Sequence, residues 1–140
     1  MKILLDTDVL LDVPLAGSQR HFPDSLTLLN WCENHAGTAQ MAWHSLSNIY
    51  YLLSRQKPPG RFDARNFLRD LLNFVVVVPT GTAQAQIALG LPLPDFEDAL
   101  QVSAALHAGV DYIITRNQNH YRSSPVRSLT PGEFLSSVST

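Results

Sequence analysis

Apolar and polar positions fall along this chain in blocks whose spacing predicts strands alternating with helices. Ile3-Leu4-Leu5 is a short apolar run, the first predicted strand, and it leads straight into Asp6-Thr7-Asp8 and a new apolar pair, Val9-Leu10. Leu26, Leu29 and Cys32 recur at close to 3.6 residues, which predicts a helix over 24–34 with Gly37 as its stop. Residues 38–43 form a second strand candidate, followed by a helix that carries Ile49, Tyr50, Leu52 and Leu53 and starts at Ser45 or Ser47. Lys57-Pro58-Pro59-Gly60 breaks the chain, and 62–72 reads as a helix with arginines 61, 65 and 69 on a separate face. Phe74-Val-Val-Val-Val78 is a continuous apolar run of the kind expected for a strand buried on both faces. Helices over 82–89 and 95–108 follow, the second rich in alanine and so able to lie close to a sheet, with Gly109 ending it. Residues 112–115 make the next strand, and Thr130-Pro131-Gly132-Glu133 reads as a capping box ahead of a last helix. Strands alternating with helices predict an α/β domain with a parallel sheet covered on both faces.

Composition narrows the class. At 140 residues and 45% hydrophobic content the chain holds enough apolar material for one core, and a single domain over 1–140 is expected. A lone cysteine, Cys32, forms no intrachain disulfide and lies in an apolar stripe, where packing is its expected role. The net charge of -2 supplies no general basic field for nucleic acid, although a bound cation recruits phosphate locally. No apolar stretch is long enough to span a bilayer, so a soluble cytoplasmic protein is expected. The absence of a Gly-x4-Gly-Lys-Ser/Thr loop argues against a phosphoryl-transfer enzyme of the nucleotide-binding kind.

The candidate chemistry lies where strands end. A carboxylate closing a buried strand is costly unless something binds it, and Asp6 does so at the strand edge where ligands of open α/β sheets sit. The same residue is also a favoured helix N-cap. Asp95 and Asp98 stand three apart on one face of the helix they open, a placement that suits the helix dipole and equally a cation. Two such acidic clusters at strand and helix ends suggest a hard-cation site of oxygen ligands. Thr115 and Asn117 follow the strand over 112–115 and are positioned to hydrogen-bond a carboxylate, while Arg116 and Arg122 are candidate phosphate contacts. The five histidines do not fall at zinc-ligand spacing.

Four motifs in order, Asp6-Thr-Asp-Val-Leu-Leu-Asp12, Ser47-Asn-Ile-Tyr-Tyr-Leu-Leu53, Asp95-Phe-Glu-Asp-Ala-Leu-Gln101 and Asp111-Tyr-Ile-Ile-Thr-Arg-Asn117, strongly resemble the PIN-domain family over nearly the whole chain. The resemblance implies a three-layer α/β/α sandwich with a central, mostly parallel sheet, and a metal-dependent ribonuclease of the VapC toxin type. It implies Mg²⁺ or Mn²⁺ on Asp6 and Asp98, with Asp95 nearby as a third catalytic carboxylate. Asp8, Asn48, Thr115 and Asn117 are then supporting residues, and Arg116 a phosphate contact. RNA, a small antitoxin protein and a second copy of the chain are the implied partners. Two positions depart from the family pattern. Asn48 stands where a Glu is usual, and His120-Tyr121 where an Asp followed by Phe is common. Asp8 offsets part of the lost charge. The alternative is a PIN-like domain with weakened or no catalysis, acting as an RNA- or protein-binding module.

Overall fold

The computed structural model describes residues 1–15 and 22–139. Five strands, β1 (Ile3–Leu5), β2 (Ala39–Ala42), β3 (Val76–Val78), β4 (Tyr112–Ile114) and β5 (Ser128–Leu129), form one sheet in the order β3-β2-β1-β4-β5, and every neighbouring pair is parallel. The helices are α1 (Thr7–Asp12), α2 (Phe22–Glu33), α3 (Trp43–Ser54), α4 (Ala64–Leu71), α5 (Thr82–Gly90), α6 (Phe96–Ala108) and α7 (Pro131–Val138), with a 3-10 turn at Gln118–Tyr121. The chain builds β1, β2 and β3 outward in one direction and then returns to lay β4 and β5 on the other side of β1. The strand order therefore reverses between β1 and β4, and a crevice opens beyond their carboxyl ends.

Period-2 alternation divides the central strands between two cores. Ile3, Leu5, Met41 and Ile114 point to one face, where they pack with Val9, Leu10, Leu28, Ile49, Leu71 and Phe134 from α1, α2, α3, α4 and α7. Leu4, Ala42, Val78 and Ile113 point to the other, against Val102, Ala104 and Ala105 of α6. Alanine at these α6 positions removes the bulk that would hold the helix off the sheet. Gly109, at φ 67°, ends α6 in the left-handed conformation that glycine adopts without a steric penalty. Cys32 is fully buried in the first core, and burial pushes its thiol up to about 12. The Thr130–Glu133 capping box forms as expected. Among the described residues, no helix is long and apolar enough to cross a membrane.

Two expectations are corrected. The run over 74–78 does not yield a strand buried on both faces. β3 holds only three residues at the sheet's edge, and Val76 is 51% exposed. Phe74 and Val75 instead close the turn after α4, their amides donating to the Leu71 carbonyl at 3.2 and 2.9 Å. α3 starts at Trp43 with no side-chain cap, so neither Ser45 nor Ser47 begins it. Ser45 is buried inside its first turn, where its hydroxyl meets that of Thr7 at 2.8 Å. β5, two residues long, carries too little pattern to be read from sequence.

Candidate active site

Two acidic side chains meet at the crevice between β1 and β4. Asp6 follows β1, and its amide donates to the Ile114 carbonyl at 2.9 Å, which fixes it beside β4. Its carboxylate is also the N-cap of α1, with Oδ1 accepting from the Thr7 amide at 2.7 Å. The helix-cap reading of Asp6 therefore holds, and the cap uses only one oxygen. The other, Oδ2, accepts from the Thr115 hydroxyl at 2.8 Å and from the Tyr121 hydroxyl at 3.1 Å. Tyr121 also reaches Asp98 Oδ1 at 3.3 Å, so the two carboxylates face each other across one phenol oxygen. They are no farther apart than those two contacts laid end to end. On the far side of Asp98, Oδ2 lies 3.3 Å from Nδ1 of His120.

Burial is the main force on these groups. Asp6 is 5% exposed, and desolvation pushes its carboxyl up to about 6. The Asp8 and Asp98 charges push the same way, while the Thr115 and Tyr121 hydroxyls pull against them. Asp98 is also raised, first by burial, then by Asp95, against the opposing pull of His120. Burial and both carboxylates raise the Tyr121 phenol, which stays a protonated donor.

A second group of side chains forms the rim. Asp95 is the N-cap of α6, its Oδ1 accepting from the Glu97 amide at 2.8 Å and the Asp98 amide at 3.4 Å. Asp95, Glu97 and Asp98 bring carboxylate oxygens within 4.8 Å of one another. Glu97 Oε1 accepts from Nδ2 of Asn48 at 3.3 Å and lies 3.6 Å from Nε2 of His44. The His44 ring, foremost, holds the Glu97 carboxyl below its usual range. A carboxylate thus stands against Asn48 after all, delivered by α6.

The remaining candidates take supporting positions. Thr115 accepts from the Asn117 amide at 3.0 Å while its hydroxyl donates to Asp6, and Nδ2 of Asn117 donates to Asp8 at 2.7 Å. Arg116 turns partly inward. Its Nε lies 3.2 Å from the fully buried Asp12, and Nη2 lies 3.9 Å from Asp8. A buried carboxylate demands a cation more strongly than solvent does, and Arg116 meets that demand. Beneath the acids, Nε2 of the fully buried Gln101 donates to the Thr7 hydroxyl at 3.2 Å and the Ser45 hydroxyl at 3.1 Å, locking α1, α3 and α6 together.

The sequence profile of the PIN domain matches residues 2–119. The chain belongs to the PIN-domain family. No curated protein matches it by sequence. Solved structures do match, and their likeness shows the fold. VapBC2 from Rickettsia felis, bound to a DNA fragment of its promoter, is 16% identical with a TM-score of 0.67, covering 93% of this chain and 98% of that one. A toxin–antitoxin complex from Klebsiella pneumoniae is 17% identical with a TM-score of 0.66, over 93% and 98% of the two chains. VapC20 from Mycobacterium tuberculosis, described as a toxin that cleaves the sarcin-ricin loop, is 16% identical with a TM-score of 0.62, over 80% and 87%.

The donor set suits a divalent cation. Asp95, Glu97 and Asp98 form a cluster of carboxylate oxygens, the ligand that Mg²⁺ and Mn²⁺ favour, and Asp6 joins Asp98 across the Tyr121 hydroxyl. The upward push on Asp6 and Asp98 comes first from burial, with the neighbouring carboxylates adding to it, and a bound cation would oppose both. Sequence reasoning passed over Tyr121, Glu97, His44 and Gln101. For Tyr121 a signal was present: a hydroxyl at a position where the family commonly carries apolar Phe.

Proposed function

We propose that this PIN domain is a divalent-cation-dependent endoribonuclease and the toxin of a toxin–antitoxin pair. One observation carries the reading. Asp6 and Asp98, far apart in sequence, converge on a single phenol oxygen at the point where the strand order reverses. Asp6 and Asp98 would hold Mg²⁺ or Mn²⁺, which supplies a water of lowered pKa and charge to balance the scissile phosphate. Thr115 and the N-cap geometry fix the rotamer of Asp6. Asp95 fixes the first turn of α6 and with it the direction of Asp98, while Glu97 adds negative charge at the rim. Asn117 holds Asp8 to the same edge. His120, whose Nδ1 lies 3.3 Å from Asp98 Oδ2, is placed to meet a phosphate oxygen.

The antitoxin partner draws support from the Klebsiella pneumoniae neighbour, described as a toxin–antitoxin complex. It also draws support from an apolar groove lined by Val13, Leu26, Leu29, Phe67, Leu71 and Phe74, which would take an apolar segment of that partner. A second copy of the chain, the other partner implied by the family resemblance, is checked by the mass of the protein in solution.

Single-stranded RNA incubated with the purified chain tests the function. Cleavage is expected with Mn²⁺ or Mg²⁺, none in excess EDTA, and none with Asp98→Asn, which removes charge and keeps shape. A second reading rests on Tyr121, whose hydroxyl already spans the two carboxylates, as suits a domain that binds RNA or protein without cutting. RNA that is bound but left whole at every cation concentration would establish that reading and refute the first.

A further inference from the structure

Trp43 opens α3 yet is 63% exposed, a large apolar face left in water beside the acidic rim. It forms one wall of a cavity of about 150 Å³, whose other walls include His44, Thr80, Gln84, Ser103 and Ala104. The cavity lies between the first turn of α3, the loop after β3, and helices α5 and α6, so it opens at the same carboxyl edge as Asp6 and Asp98. His44 joins the two sites. It lines the cavity while its Nε2 lies 3.6 Å from Glu97, one position before Asp98. At that distance the contact with Glu97 is long for a hydrogen bond, and Nε2 has no closer partner among the described residues.

The walls are held in place by their own hydrogen bonds. Oε1 of Gln84 accepts from the Gly81 amide at 2.9 Å, and the Ser103 hydroxyl donates to the Gln84 carbonyl at 2.7 Å. A cavity of about 150 Å³ accepts a ring the size of benzene. An apolar face with a few polar groups at one side suits a flat ring with a polar edge. Exposed aromatic side chains are the usual platform for unpaired bases, which stack on them and are read by hydrogen bonds along their edges.

We propose that this cavity is a base-binding subsite for the RNA substrate. A single-ring pyrimidine next to the scissile phosphate stacks on Trp43 and turns its polar edge toward His44 and Thr80. This inference rests on the ribonuclease reading above and adds to it a preference for the base.

The test reads binding with cleavage switched off. Fluorescently labelled ten-nucleotide runs of U, C and A are titrated against the protein in EDTA and followed by anisotropy. Trp43→Ala is expected to weaken binding of the U and C runs about 5- to 100-fold, the range of one lost base–aromatic stack. Trp43→Phe should recover most of that loss. Ala85→Leu, which fills the cavity from α5 with a good helix former, should weaken the same runs and leave the melting temperature unchanged. In Mn²⁺ the same variants should raise KM and preserve kcat, as befits residues that position substrate. If the parent cuts and binds RNA and both Trp43→Ala and Ala85→Leu match it, the subsite is refuted and the ribonuclease reading stands. If the A run binds as tightly as U and C, the pyrimidine assignment is refuted. If the parent neither binds nor cuts, the ribonuclease reading falls and the subsite falls with it.

Discussion

Replacing Asp6 by Asn should stabilise the cation-free protein, because the native carboxylate is held where its charge is unwelcome. Burial raises this carboxyl from 3.8 to about 6. At 1.36 kcal/mol per unit, that difference is about 3 kcal/mol of penalty once the group is ionised. The direction of the pH dependence follows. A carboxyl whose folded pKa is raised favours folding fully below about pH 4, and that advantage disappears as pH climbs through about 6. Asn keeps an oxygen to accept from the Thr7 amide, and its NH₂ faces the Thr115 and Tyr121 hydroxyl oxygens, which can accept. The raised value already contains the pull of those two hydroxyls, so about 3 kcal/mol is the ceiling, and the poorer fit of an NH₂ against the two hydroxyl oxygens trims the gain to about 1–2 kcal/mol. In EDTA near pH 7.5, urea denaturation should show that gain, and thermal unfolding a rise of about 3–8 °C. Near pH 4 the two proteins should unfold together. Saturating Mn²⁺ should reverse the order, since an ion at 100 times its Kd adds about 2.7 kcal/mol to the parent alone. A parent more stable than Asp6→Asn in EDTA near pH 7.5, or a gap of equal size near pH 4, would refute this account of Asp6.

Arg116→Met should cost about 1–3 kcal/mol in urea denaturation, because it takes the guanidinium from beside Asp12, buried at 0% exposure, which keeps the Ser25 hydroxyl on Oδ2; a cost under about 0.5 kcal/mol would leave Arg116 with the surface role alone. Tyr121→Phe removes the donor shared by Asp6 and Asp98 and should lower stability in EDTA by about 1.5–3 kcal/mol. Added Mn²⁺ should restore most of that loss, and a loss indifferent to Mn²⁺ would place Tyr121 in the core alone. Asn48→Glu replaces the donor to Glu97 by a like charge, so the cation-free melting temperature should fall while Mn²⁺ binds more tightly by calorimetry; unchanged Mn²⁺ affinity would show that the rim does not face the ion.

The elements that were legible in the sequence are those with strong local signals. The Ile3–Leu5 run, the Ala-rich α6 with Gly109 behind it, and the Thr130–Glu133 capping box each rest on a few neighbouring residues. What the sequence pattern misplaced depends on distant partners. Nothing within 74–78 says that β3 has a neighbour on one side only, and nothing in Ser45 says that its hydroxyl will turn inward to Thr7 and Gln101 instead of capping a helix. At the site, Asp6 and Asp98 were legible because strand ends and helix starts are where α/β sheets gather carboxylates. Glu97 was hidden in the same motif as Asp98, since helical spacing alone does not tell which acid faces Asn48 and which faces Tyr121. The contact of Arg116 with Asp12 was not legible, since nothing local to Asp12 says that it is fully buried.

The central claim is that Asp6 and Asp98 hold one cation and that this cation is the one used to cut RNA. It is tested most directly by measuring Mn²⁺ occupancy, by electron paramagnetic resonance, and RNA cleavage in the same titration. The account predicts that cleavage rises in step with the filling of a site that is lost in both Asp6→Asn and Asp98→Asn. Cleavage that persists in EDTA, or an ion that binds both variants as tightly as the parent, would contradict it.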